Sequence, residues 1–179
     1  MLDERELWKK ISAGDSQAFD NWYRETAPRL RLFLRHLLAS PQAAEDVMQD
    51  TYTHIWRRPQ GFDSDRGTLR AWLYGIARKR AAEWWRRQRP TDPIDLLEFE
   101  NAAPGHAEAS SVMADLLRQL PAEQRSLLWL REVEGQSYAE LAIILDIPIG
   151  TVRSRLFAAR EALRAIWHSV PQGVPHDLY

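Results

Sequence analysis

The chain has 179 residues, 24 basic and 25 acidic, and a formal net charge of −1 at neutral pH. It contains no cysteine, which excludes disulfides, thiolate metal sites and cysteine nucleophiles. No apolar run approaches the ~18 residues a membrane span needs, and the charged start MLDERELWKK does not read as a secretory signal, so a reducing cytoplasm is the expected compartment.

Leu, Ala, Arg and Glu outweigh β-branched runs, and an all-α fold is expected. A first amphipathic helix is predicted over Asp3 to Ala13, with Leu7, Trp8 and Ile11 on one side and Gly14 at its end. A second begins near Asp15 and runs through Phe19, Trp22 and Tyr23. Pro28 should perturb it before Leu30, Phe33, Leu34, Leu37 and Leu38 continue the apolar face. Ser40-Pro41 supplies a cap residue and a first-turn proline for a third helix to about Arg57. Its inner face is Ala44, Val47, Met48, Thr51, Tyr52 and Ile55, and Glu45, Asp46 and Asp50 point outward. After Pro59, Gly61 and the loop Asp63 to Gly67, a long helix is expected from Thr68 to about Arg87, turning Leu69, Trp72, Leu73, Ile76, Ala77 and Trp84 inward. Trp84 and Trp85 are adjacent, so they cannot both face one core.

The near-zero net charge hides a segregation. From Arg57 to Pro90 there are ten basic and three acidic residues, net +7; from Thr91 to Ser110 there are five acids and no base, net −5. That second stretch, with Pro93, Pro104 and Gly105, reads as a flexible acidic linker. Beyond it, helices are expected over Ser111 to Gln119 and Pro121 to Val133, the latter closed by Gly135. The tail from His168 on reads as loosely ordered.

Ser137 to Arg160 is the most informative stretch. Ser137 and Glu140 have the spacing of a capping box. Leu141, Ile144 and Leu145 follow at helical spacing, Asp146-Ile147-Pro148 interrupts, and Val152, Leu156, Ala159 and Leu163 form a second stripe. Thr151, Arg153, Ser154, Arg155 and Arg160 lie between its members. This is the layout of a helix-turn-helix whose second helix enters the DNA major groove, where arginine reads guanine and grips phosphate. A helical hairpin with a solvated basic face is the competing reading. Against it stands a second nucleic-acid signal: the helix from Thr68 interleaves Trp72, Tyr74, Trp84 and Trp85 with Arg78, Lys79, Arg80, Arg86 and Arg87, the composition that stacks bases and follows a single strand's backbone.

The order AEDVMQDTYTHIW, GTLRAWLYGIARKRAAEWWRRQ, an acidic linker, then LPAEQRSLLWLREVEGQSYAELAIILDIPIGTVRSRLFAARE resembles an extracytoplasmic-function sigma factor of bacterial RNA polymerase, over roughly Phe19 to Ala165. The resemblance implies two small helical domains: sigma region 2 over 1–90 and sigma region 4 over 111–170, joined by an acidic linker over 91–110, with a tail over 171–179. By the same resemblance, Asp46, Gln49, Asp50, Tyr52 and Trp56 would meet the clamp helices of the polymerase largest subunit. Arg66, Arg78, Lys79, Arg80 and Trp84 would hold the opened −10 element, with a base flipped into a pocket near Asp63 to Gly67. Thr151, Arg153, Ser154, Arg155 and Arg160 would read the −35 duplex. The implied partners are core polymerase (clamp helices and flap), promoter DNA and an anti-sigma factor.

Catalysis, a cofactor and a metal are not expected. The five histidines are scattered, no nucleophile–base arrangement or phosphate loop appears, and the loop at Asp63 lacks the later bidentate glutamate of a calcium site. Two other readings stay open: an autonomous helix-turn-helix regulator that binds a palindromic duplex as a dimer, and an interaction protein that binds polymerase or sequesters sigma without touching promoter bases.

Overall fold

A computed structural model of the chain describes residues 3–38, 40–88, 116–117 and 119–169. The expected linker, most of the expected helix over Ser111 to Gln119, and the tail from residue 170 lie outside the described residues. Among those described, regular structure is helical throughout.

Four helices build the N-terminal unit: α1 (Glu4–Ser12), α2 (Ser16–Leu37), α3 (Pro41–Arg57) and α4 (Leu69–Gln88), with a short 3₁₀ turn at Pro59–Gly61. The starts of α2, α3 and α4 are fixed by side chains that accept the otherwise orphaned first-turn donors. Asp15 Oδ1 accepts from the amides of Gln17 and Ala18, both at 3.0 Å. Ser40 Oγ accepts from Ala43 N, and Thr68 Oγ1 from Ala71 N at 3.1 Å. Helix α2 runs unbroken through Pro28. Pro28 sits on the exposed side of the helix, so the missing hydrogen bond falls where water reaches the freed carbonyl.

Leu30, Phe33, Leu34, Leu37, Val47, Ile55, Leu69, Leu73 and Ala77 form the buried centre of this bundle. An aromatic cluster closes one end: Trp8 stands edge-on to Trp22, Phe62 and Trp72, with ring centroids 5.1–6.4 Å apart.

The C-terminal unit comprises α5 (Ala122–Leu128), a π-helical turn (Trp129–Val133), α6 (Tyr138–Leu145) and α7 (Ile149–Ser169). The single helix expected over Pro121 to Val133 thus changes its winding halfway. The wide turn is carried by Glu134 N→Trp129 O at 3.1 Å and Gln136 N→Leu130 O at 3.0 Å. Its effect is to bring the Glu134 side chain inward, leaving Glu134 only 3% exposed. Leu127, Leu130, Leu141, Ile144, Val152, Leu156 and Ala159 form this unit's core.

The two units share one continuous core, because α6 lies against α4 and α5 against α2. Helix α4 is therefore buried on two sides, and its inward face differs from the expected one. Tyr74, Arg78, Ala81, Ala82 and Trp85 are buried alongside Leu69, Leu73 and Ala77, whereas Trp72, Ile76 and Trp84 are half-buried. Of the adjacent pair, Trp85 is the core residue; the two rings meet edge-to-face at 6.1 Å and 87°.

Candidate nucleic-acid interface

The helix-turn-helix begins with the capping box: Glu140 N donates to Ser137 Oγ, and Ser137 N donates to Glu140 Oε2 at 2.7 Å. Helix α6 ends on Asp146 in the left-handed conformation, φ 57°, which Asp tolerates better than most side chains. Pro148 O then accepts from Thr151 N and Val152 N at the start of α7. Val152, Leu156 and Ala159 are buried, so α7 presents its opposite side to solvent.

On that side Arg153 and Ser154 are exposed, and Thr151 is half-buried. The arginines at 155 and 160 are engaged within their own unit. Arg155 pairs with Glu123 on α5, and Arg160 with Glu132 in the π-helical turn at 2.8 Å. Those hydrogen bonds, to Glu132 and then to Tyr138, hold the Arg160 guanidinium above its ordinary pKa. Phe157 was missed by the sequence reading. It is 67% exposed and lies one turn beyond Arg153 on the same side of α7. Its signal was its place next to Leu156: if Leu156 faces the core, Phe157 must turn away.

A second surface lies on α4 and the loop before it. A cleft of about 610 Å³ is lined by Phe62, Arg66, Trp72, Ile76 and Lys79 on one wall and by Ile143 and the Asp146–Pro148 turn on the other. Asp63 shapes the loop by accepting from Asp65 N through its side chain and from Arg66 N through its carbonyl. Among the expected −10 residues, Arg66 and Lys79 line this cleft, with Lys79 Nζ 3.9 Å from Asp146 Oδ2 across it. Trp84 is half-buried. Arg80 turns toward α3, donating to Glu83 at 3.0 Å, meeting His54 Nδ1 at 2.6 Å and lying 3.5 Å from Asp50. Burial, then the charges of Arg80 and Arg58, lower the His54 pKa. Arg78, expected to touch DNA, is 1% exposed in this arrangement because α4 is covered on two sides.

On α3, Asp46, Gln49 and Asp50 are exposed, and Trp56 is 39% exposed while packing on Phe19 at 4.9 Å. Tyr52, expected as a surface anchor, is instead 4% exposed, packed between Phe19, Trp22 and Tyr23. Its hydroxyl lies 2.7 Å from Thr26 Oγ1, and burial raises the phenol's pKa. Among the described residues no group of acids and histidines is arranged to hold a metal, and no helix is long and apolar enough to cross a membrane.

The boundary between the units is polar as well as apolar. Thr68 Oγ1 donates to Glu140 Oε1 at 2.7 Å. Arg70 Nη2 donates to Glu134 Oε2 at 2.8 Å and to the Glu134 carbonyl, and Tyr74 Oη donates to the same Oε2 at 2.7 Å. His36 stacks on Trp129 at 4.8 Å and 22°. Burial, and then the charge of Arg125, push that imidazole down to about 3. The turn of the helix-turn-helix thus roofs the α4 cleft.

The sigma-70 region 2 family model matches residues 7–91, and the sigma-70 region 4 model matches residues 111–163. The chain is 32% identical to the ECF RNA polymerase sigma-E factor of Escherichia coli K12, across 90% of this chain and 93% of that protein. It is 30% identical to the RNA polymerase sigma-H factor of Pseudomonas aeruginosa, across 89% and 91%. The sigma factor RpoE of Bartonella quintana, solved in complex with the anti-sigma factor NepR, is 28% identical with a TM-score of 0.64 over 85% of this chain and 98% of that one. CnrH, solved with the cytosolic domain of CnrY, shares the fold with a TM-score of 0.69 at 24% identity, over 93% and 98%.

Proposed function

The chain belongs to the sigma-70 family, in its extracytoplasmic-function branch, and on that premise we propose how its residues divide the work of an RNA polymerase sigma factor. A sigma factor binds core polymerase and directs initiation to promoters, recognising the −35 duplex and the −10 element. In this reading region 2 spans 1–90 and region 4 spans 111–170.

The −35 element is read by the outward side of α7. Arg153 is the base-reading cation, since a free guanidinium fork matches guanine in the major groove. Ser154 supplies a hydrogen bond, and Phe157 an apolar contact of the kind a thymine methyl accepts. Arg155 and Arg160 brace α7 on Glu123 and Glu132 and reach phosphate from that edge.

The −10 strand enters the α4 cleft, where Phe62 and Trp72 offer stacking faces and Arg66 and Lys79 neutralise phosphate. On α3, Asp46, Gln49 and Asp50 around Trp56 form the polymerase-facing rim, with Tyr52 as its buried support. Polymerase supplies the chemistry and this subunit supplies the address.

The observation that supports this reading is that the Asp146–Pro148 turn of the helix-turn-helix, proposed for the −35 duplex, lies across the α4 cleft proposed for the −10 strand. The arrangement described is therefore closed, and the two DNA surfaces work together only after polymerase separates the units. An anti-sigma partner, like the NepR bound to RpoE of Bartonella quintana, would act by holding region 2 and region 4 away from polymerase. Run-off transcription with purified core polymerase on genomic fragments is the test. Discrete new start sites are expected, and a chain that never redirects initiation defeats the reading.

A further inference from the structure

Glu134 is a carboxylate withdrawn almost completely from water, with its side chain 2% exposed, yet it belongs to a short connection at the edge of region 4. A group of that kind is held only where donors compensate its lost hydration. All the side-chain donors found here come from the other unit. Arg70 and Tyr74, one turn apart on α4, converge on the single oxygen Oε2 at 2.8 and 2.7 Å. The Arg70 guanidinium lies 5.9 Å from the centre of the Tyr74 ring, so the two donors stand side by side on α4.

We infer that Arg70 and Tyr74 form an oxyanion site on α4, which Glu134 fills in the closed chain and which a backbone phosphate of the −10 strand takes when the units part. A guanidinium beside a phenol suits a phosphate oxygen as it suits a carboxylate oxygen, both being anionic acceptors of charge-assisted hydrogen bonds. The site lies on α4 outside the cleft that Trp72, Ile76 and Lys79 line, but in the same stretch of net charge +7, where a polyanion is drawn. Glu134 thus acts as an internal competitor for strand binding. The inference rests on the assignment of the −10 strand to α4 and adds two residues to it.

The primary test needs no promoter sequence, and polymerase enters only as a control. Binding of a short fluorescein-labelled oligothymidylate to the full chain is followed by anisotropy over a salt series. Glu134→Ala is expected to tighten the apparent Kd about tenfold, by raising the fraction of chains with a free site. Adding Arg70→Gln to Glu134→Ala should abolish the gain and lower the slope of log K against log salt by about 0.7, one lost phosphate contact on a single strand. Adding Arg70→Lys should retain the slope. Helical circular dichroism and melting verify that each variant is folded, and Tyr74→Phe in the Glu134→Ala background serves as the second probe if Arg70→Gln is not.

Equal affinity of wild type and Glu134→Ala overturns the inference. So does an unchanged salt slope on adding Arg70→Gln. A double variant that keeps DNA binding but loses core polymerase would give the site to a partner's carboxylate, which also overturns it. Failure here leaves run-off transcription by the wild-type chain intact, whereas failure of the sigma-factor reading abolishes that transcription.

Discussion

Glu140 serves both units at once: Oε2 accepts from Ser137 N to close its own helix, while Oε1 accepts from Thr68 Oγ1 of region 2, each at 2.7 Å. Burial raises the Glu140 pKa, but the hydrogen bonds from Ser137 and Thr68 and the charge of Arg70 outweigh it, and the carboxyl sits below its ordinary 4.5. Glu140→Ala removes the capping box, at a cost of about 1 kcal/mol, together with the Thr68 link. The sign follows from the depressed value: the contribution is present above pH 4.5 and is lost as pH falls through the lowered folded pKa. Thermal melts of wild type and variant should differ near neutrality and converge toward acid. A constant difference at all pH values would remove the ionised carboxylate from the explanation.

Gly75 sets how closely α6 approaches α4. A Cβ at this position would meet the Ile144 Cα at 3.7 Å, an ordinary contact, with the Ile144 carbonyl just beyond. Gly75→Ala should therefore be tolerated, whereas Gly75→Leu must push against the α6 backbone and open the units. Because the chain has no cysteine, a pair of introduced thiols at the exposed positions Asn21 and Ala158 can carry donor and acceptor dyes. Energy transfer should persist in Gly75→Ala and fall in Gly75→Leu. Equal transfer in both would show that α6 adjusts without separating.

His36 gives the closed arrangement a pH dependence at higher pH than Glu140. Its folded pKa of about 3 lies below the ordinary 6.5. The unfolded chain therefore binds the proton more readily, and stability falls as pH drops from 6.5 toward 3, by about 1.4 kcal/mol per unit. Protonation would place a second cation beside Arg125 and against Trp129. Denaturant unfolding at pH 7 and pH 5, read by tryptophan fluorescence, should show this loss in wild type. His36→Gln should be destabilised at pH 7 and lack that dependence. The same slope in both proteins would assign the titration elsewhere.

Most of the helices were legible because their signals are local. Ser40-Pro41, Asp15 and Ser137 with Glu140 each mark a helix start through a cap geometry that the structure contains. What the sequence could not supply was which face of α4 is inside. Apolar residues occur all round that helix, since one side packs on the bundle and the other on α6, so periodicity points nowhere in particular. Arg78 and Trp85 were misread for this reason. Tyr52 was misread because an aromatic among outward acids resembles an anchor, when its neighbours in space, Phe19, Trp22 and Tyr23, come from another helix. Glu134 carried no signal at all: its burial depends on a π-helical turn and on two donors 64 and 60 positions away, which no spacing rule reports.

The α7 arginines separate two roles that composition alone lumps together. Arg153 is exposed, while Arg155, opposite Glu123, is only 29% exposed in its side chain. In the proposed division of roles, Arg153 touches DNA and braces nothing within the chain. Arg153→Ala should leave the melting temperature unchanged and cost about 1–3 kcal/mol of discrimination at one base pair of the −35 element. Phe157→Ala should behave alike, with its loss at a thymine. Arg155→Ala instead leaves Glu123 without its cation, so its first effect should be on the stability of region 4, and its effect on DNA should be spread evenly over sequences, as for a phosphate contact. Holoenzyme binding to a library of −35 variants, measured beside thermal melts of each protein, distinguishes the two patterns. If Arg155→Ala alters one base preference while Arg153→Ala alters none, the assignment of readout along α7 is reversed.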